Sequence, residues 1–445
     1  MKRVEYMSKL SEELEIFADD VKSEIMEDYE EHYEIGLANG KTEDQISDEL
    51  GEIEELVKEL KKSESVTNQS KDTNQSMDEN QPKDTNQLKD TNQSKDTNQL
   101  WVNEAKEDDN NASNDYQENK ANLPRKVEVR SKFAYVEVVT SDDNQIHLDW
   151  VNYHESRAKE YYEFRSWVEG TTIYGDLCRK NISSIFSMIF AQDVKIVVKV
   201  PKGFPEVEII SMSGGTLMQN VEVQSVKVNS ASGNIWAEHC IGSQMSLDTK
   251  SGEIICKQSR YSNLYMDTKS GDIVFGDIQS NSIHARSISG DISGNNLSGD
   301  ANLRTASGDI KAYTVFGKQF DISSISGEVK VEHLQGETMR IATKSGDIKA
   351  EFCVESCVAS SISGDLNLMN ARESSLQASA VSGDIEITCN GISGYEAEIH
   401  TISGKETLSF KDRTDKNCGK GVFTYGTGMT KIKAKTTSGN IRVRG

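Results

Sequence analysis

The chain has 445 residues, of which only 35% are hydrophobic. That is room for roughly two to four structural units but too little apolar material for one large globule, so part of it is expected to stay unpacked. The net charge of −22 is uneven: residues 1–62 carry 20 acidic against 8 basic side chains. This excess disfavours direct nucleic-acid binding by that segment and favours a basic partner or plain solubility.

Residues 3–61 read as helices. Tyr6, Leu10, Leu14 and Phe17 recur at helical spacing, and Val21, Ile25, Tyr29 and Tyr33 continue the stripe. Gly40 suits a helix end, Thr42 with Gln45 forms a capping box, and Ile46, Leu50, Ile53, Leu56, Val57 and Leu60 supply the facing stripe. The first domain is therefore drawn at 1–62. Acidic residues stand where a signal peptide needs an apolar core, and no run is long and apolar enough to span a membrane. On these grounds the expected location is cytoplasmic.

Residues 63–122 change character. A six-residue unit, Lys-Asp-Thr-Asn-Gln followed by Ser or Leu, starts at Lys71, Lys83, Lys89 and Lys95, with a diverged copy at Met77. Its charges cancel and nothing in it can be buried, so a disordered tether is expected.

From Arg125 the pattern becomes β. Residues 123–204 hold alternating stretches such as Tyr135 to Val138 and Val194 to Val200, and read as an irregular start. Residues 205–445 carry the decisive signal. A Ser-Gly-Asp-Ile motif and its variants place glycine at 214, 233, 252, 271, 290, 308, 327, 346, 364, 383, 404 and 439, at spacings of 18 or 19 until the last two intervals of 21 and 35. The 35-residue interval reads as two coils with one motif lost among Gly419 to Gly428.

Counting from each glycine, positions −7 and −5 are usually apolar, as in Met245 and Leu247, and +2 is almost always aliphatic, as in Ile254, Ile273 and Ile292. Each repeat is thus two period-2 strands around a turn. Nineteen residues cannot bury two such faces alone, but stacked copies align them into a shared core. The expected fold is mainly β: a β-solenoid of about 19-residue coils, roughly 60 Å long, preceded by the disordered linker and the small α-helical domain. A β-sandwich has no reason to keep this period.

The turn glycines Gly233, Gly252, Gly271, Gly290, Gly308, Gly327, Gly346, Gly364 and Gly383 are expected where positive φ or close backbone approach is needed. Asp272, Asp291, Asp309, Asp347, Asp365 and Asp384 follow them, either as turn caps accepting amide bonds or as a carboxylate ladder that a cation could bridge. The Ser/Thr at −3 shares parity with the buried −5 position, so internal hydroxyl ladders are expected.

Chemistry is sparse. The seven cysteines include no Cys-x-x-Cys and read as buried thiols, and none of the seven histidines joins a Ser or Cys in a nucleophile motif. The segment from Tyr153 to Trp167 mixes aromatics and charges and reads as an edge strand capping the rod. No enzyme activity, metal or cofactor is expected.

Two resemblances follow from these residues. Residues 2–61 resemble the helix-turn-helix-associated α-helical signalling (HAAS) domain, through Glu27 to Tyr33, Gly36 to Thr42 and Asp48 to Gly51. Residues 125–445 look like the bacterial adhesin-type β-strand-repeat family, whose adhesin name is provisional and whose function is unknown, through Val200-Pro201 and the serial Ser-Gly-Asp-Ile motifs. The first resemblance implies docking to a PadR-like transcription regulator. The second implies surface proteins that sense cationic antimicrobial peptides and signal to envelope-stress systems. The expected function is a non-enzymatic sensing or scaffold protein, with an envelope component or peptide on the solenoid and a regulator on the helices. A surface adhesin is the alternative, and a polysaccharide-active enzyme a more distant one.

Overall fold

The computed structural model describes residues 2–17, 22, 25, 26, 29, 30, 33, 37, 42–50, 53, 54, 57 and 58, and then 123–152, 162–179, 194–419 and 421–445. The tether at 63–122, Gly40 and residues 153–161 lie outside them.

In the helical unit, α1 spans Arg3–Glu13 and runs into a 3-10 turn at Leu14–Ile16, and α2 spans Glu43–Leu50. The spacing of apolar residues explains its core, where Tyr6, Leu10, Leu14, Tyr33, Ile46 and Ile53 are almost fully buried together. The capping box forms: Thr42 N–H donates to Gln45 Oε1 at 2.9 Å and Gln45 N–H to Thr42 Oγ1 at 3.3 Å. Tyr33 satisfies its buried hydroxyl on Ser47 Oγ at 2.7 Å.

The β unit is a solenoid in which each coil contributes one strand before its glycine turn and one after. The two sets stack into parallel ladders. In the leading ladder Met245 lies beside Leu264 and Leu264 beside Ile283; in the trailing ladder Ile254 lies beside Ile273 and Ile273 beside Ile292. The +2 residues Ile235, Ile254, Ile273, Ile292, Ile310, Val329, Ile348, Leu366 and Ile385 are at most 1% exposed, an aliphatic spine through the unit. Among the described residues no helix is long and apolar enough to cross a membrane.

Spatial order departs from chain order at both ends. Lys126–Ser131 sits between Thr172–Arg179 and Phe204–Ser211, so the first coil in sequence is second in the stack. Thr430–Ser438 sits between Ser375–Ser379 and Gly394–Ser403, and Ile441–Arg444 between Ile385–Cys389 and Glu406–Phe410. This corrects the expectation of a lost coil in the 35-residue interval. Those residues instead supply antiparallel strands, Arg413–Lys416 on Glu406–Phe410 and Val422–Gly426 on Gly394–Ser403. At the other end His147–Asn152 pairs antiparallel with Val194–Val200, and Trp167 stacks on Tyr174 at 5.1 Å. Antiparallel strands cover edges that would otherwise template further pairing.

The 18-residue spacings have two different causes. Between Gly290 and Gly308, Gly299 alone, at φ +141°, stands where the preceding coil has Ser280 and Asn281. Between Gly346 and Gly364, the lost residue is the one that turned the preceding coil's corner, so Phe352 comes to lie beside Leu334. In the earlier coils that corner is a left-handed residue six positions after the glycine: Asn220, His239, Gln258, Asp277, Asn296, Thr314 and His333, at φ +48° to +55°. Asn and Asp tolerate this region, whereas β-branched Thr does not. Thr314→Asn is expected to raise the midpoint of urea unfolding, by about 1 kcal/mol in stability.

Candidate functional site

The glycine corner is built from three columns. Innermost, the hydroxyl at −3 links successive coils: Gly252 N–H donates to Thr249 Oγ1 at 3.1 Å, and Thr249 O–H donates to the Gly233 carbonyl at 3.2 Å. The same relay recurs at Thr268, Ser287, Thr305 and Ser324, all buried. Each hydroxyl thus accepts from its own turn and donates to the preceding one, satisfying buried backbone groups that water cannot reach.

The glycines come next. A Cβ on Gly233, Gly252, Gly271, Gly290, Gly308, Gly327, Gly346, Gly364 or Gly383 would fall 1.8–2.2 Å from the carbonyl oxygen of the preceding coil's glycine. Close approach, rather than positive φ, is what demands glycine from Gly233 to Gly327; only from Gly346 onward does φ near +155° add to it.

The carboxylates stand outermost, and each reaches across coils instead of capping its own turn. Asp272 accepts the Asp291 amide, Asp291 the Asp309 amide, Asp309 the Glu328 amide, Asp347 the Asp365 amide and Asp365 the Asp384 amide, at 2.8–2.9 Å. Asp384 accepts the Asn440 amide at 2.7 Å, and the bonds from Asn440 backbone and side chain hold its pKa below the usual carboxylate value. Eight acids occupy consecutive coils from Glu253 to Asp384. At one-coil spacing neighbours repel by about 1 kcal/mol in water. No group of three or more His, Cys, Asp or Glu among the described residues is placed to hold a metal ion.

A column that the sequence reading passed over lies beside the acids, at −2. Ile288, Ile325, Ile362 and Val381 are 43–52% exposed and Ile402 is 74% exposed, while Lys250, Lys269, Ala306 and Lys344 hold the same position in other coils. The amide of each −1 serine donates to the carbonyl of the −2 residue one coil earlier, as Ser326 does to Ala306 and Ser382 to Ile362, which holds the column in register. The signal was in the motif itself, since Ser-Ile-Ser-Gly puts an isoleucine in a tight turn at 287–290, 324–327 and 361–364.

The described histidines are placed apart. His284 Nε2 does bond a serine, Ser282 Oγ, at 2.8 Å. Its ring stacks on Tyr265 at 4.9 Å, and no carboxylate bond to its other nitrogen is seen among the described residues, so nothing fixes a base tautomer. His147 bonds Asp143 and His333 pairs with Glu351 on separate coils, while His32 and His154 lie outside the described residues. All seven cysteines are free; burial pushes Cys256, Cys357 and Cys389 up to about 12, which keeps them inert.

No curated protein matches the chain. Solved structures with likeness include a provisionally named cell adhesion protein from Clostridium sporogenes, at 8% identity over 73% of this chain and 94% of that one, TM-score 0.20. An adhesin, also provisionally named, from Bacteroides fragilis matches at 12% identity over 73% and 94%, TM-score 0.21. A third, provisionally named as a lipid binding protein, from Parabacteroides distasonis, matches at 15% over 72% and 92%, TM-score 0.23. At these scores the likenesses decide nothing about function. The HAAS family model matches residues 5–59. The Toastrack DUF4097 model matches residues 124–298 and again 294–444, well over half of the sequence, and the chain belongs to that family.

Proposed function

We propose that the chain is a non-enzymatic sensing or scaffold protein whose solenoid binds a ligand along its glycine corner and whose helical module docks a protein partner. The observation that carries this reading is the run of carboxylates at +1 beside a −2 position that exposes Ile288, Ile325, Ile362 and Val381, with Ala306 and Lys344 in the coils between them. Exposed apolar stripes rimmed by charge mark interaction surfaces. The pair complements an amphipathic cation, a peptide or envelope component with apolar and basic groups side by side. A helical module at 1–62 with an acidic excess fits a basic surface on a regulator of the PadR-like kind.

The test is binding of a designed Lys/Leu amphipathic helical peptide to the whole chain. Affinity should fall with added salt, and a triple variant, Ile325→Ser, Ile362→Ser and Val381→Ser, should lose at least about tenfold, since each removes roughly 1 kcal/mol or more of apolar contact. Equal binding by the triple variant would remove the corner from the account. Capture with residues 1–62 tests the other arm, and failure to recover any DNA-binding regulator discards it.

A further inference from the structure

A groove of about 500 Å3 lies on the outer face of the leading ladder, away from the glycine corner. Five consecutive coils line it with two columns in register. One runs His284, Asn302, Asp321, Arg340 and Val358, the other Ser282, Asp300, Gln319, Thr338 and Ser356. Each coil therefore offers a pair of outward side chains, repeated at about 4.8 Å.

The chemistry of the lining narrows the ligand. Asp321 is paired with Arg304 at 2.8 Å, and Asp300 Oδ1 accepts the amides of Lys318 and Gln319. What remains to recognise a ligand is amide, hydroxyl and guanidinium, from Asn302, Gln319, Thr338, Ser356 and Arg340. Two acids against one Arg leave no cationic surplus, which excludes nucleic acid or another polyanion. Ala301, Phe320 and Met339 also line the groove, but each is at most 3% exposed, so with Val358 they give an apolar molecule little wall to rest on. An extended peptide would need a free strand edge, but these strands are paired on both sides within the ladder.

We infer that this groove binds an uncharged, hydroxyl-rich glycan chain lying across the strands, one sugar to each one or two coils. Planar Asn, Gln and Arg groups can each hold two neighbouring hydroxyls, and a groove that repeats by coil suits a polymer that repeats by sugar. His284 lines one end of the groove, and its ring stacks on Tyr265 of the preceding coil, which is 40% exposed. This assignment is independent of the corner: it rests on another face and other side chains.

The experiment presents the full chain to an array of neutral hexose, pentose and N-acetylhexosamine oligosaccharides, with polyanionic glycans alongside, and then titrates any neutral binder at lengths from two to six sugars. The expected result is binding of a neutral glycan whose affinity rises at least about tenfold from disaccharide to hexasaccharide. In the double variant Asn302→Ala, Gln319→Ala that binding should drop at least about tenfold, with unchanged circular dichroism and unchanged binding of the Lys/Leu peptide. No neutral glycan bound, preference for the polyanions, or equal binding by the double variant would overturn the groove assignment while leaving the peptide result, and the reading it tests, in place.

Discussion

Gly271→Ala is expected to cost about 3 kcal/mol or more and to split urea unfolding into two transitions. The added methyl would sit 1.8 Å from the Gly252 carbonyl oxygen, and that atom is backbone, held by the buried Thr268 hydroxyl. It cannot swing aside as a side chain could. Relief requires the two coils to separate, and separation lengthens strand bonds in both ladders at once. Overpacking of a rigid site typically costs 1–3 kcal/mol, and occasionally more; here the backbone must yield, so the upper end applies. A solenoid couples each coil only to its neighbours, so weakening one junction lets the segments on either side unfold separately. The same coil supplies the control. A methyl on Gly276 would meet nothing closer than the Asn295 carbonyl oxygen at 3.4 Å, an ordinary contact, so Gly276→Ala should leave a single transition near that of the unaltered protein. Two transitions in Gly276→Ala, or one unshifted transition in Gly271→Ala, would contradict the stacking described.

Ile441→Asp is expected to expose a segment that precedes it by more than thirty residues. Ile441 is fully buried and lies beside Ile385 on one side and Glu406 on the other. An unpaired carboxylate there is a buried charge, and the local penalty should reach about 3 kcal/mol or more. Among the described residues Gly394–Ser403 has only Thr430–Ser438 as its parallel neighbour, and Glu406–Phe410 has only Ile441–Arg444, so loosening the last coil removes the support of both. Hydrogen exchange should therefore accelerate in 394–410 as well as in 430–444, while the coils before Ser375, which do not touch the last coil, stay protected. If the coils followed chain order, 394–410 would keep its own neighbour and remain protected.

The period was legible because a 19-residue repeat of one aliphatic and one glycine position admits few folds. The buried faces followed from alternation, as Ile254, Ile273 and Ile292 illustrate. The order of the terminal coils was not, since the period is the same whichever coil lies next. Charge held the missing clue. The last coil, with Lys431, Lys433, Lys435, Arg442 and Arg444 and no acid, is flanked by Glu386, Glu396 and Glu398. Lys431 pairs with Glu396 at 3.0 Å, Lys433 with Glu398 at 3.2 Å and Arg444 with Glu386 at 3.0 Å. These exposed pairs contribute little energy each, yet they discriminate one stacking order from another. The corner residues from Asn220 to His333 were legible in principle, as Asn, Asp and His recurring one coil apart, but a search for apolar columns does not look for them. The glycan groove depends on which polar columns fall side by side, and that required the register.

The most direct test of the stack is a pair of engineered disulfides. Gln377 faces Lys433 in the adjoining strand, with Glu398 the next coil beyond. Gln377→Cys with Lys433→Cys places the two sulfurs one coil apart, at about 4.8 Å between backbones, within disulfide reach. Gln377→Cys with Glu398→Cys places them two coils apart, beyond the limit of about 7 Å. Under mild oxidation the first pair should cross-link within the folded chain and the second should not, as read by mass mapping. Cross-linking of the second pair and not the first would show coils stacked in chain order, and cross-linking of neither would deny the rung-on-rung core.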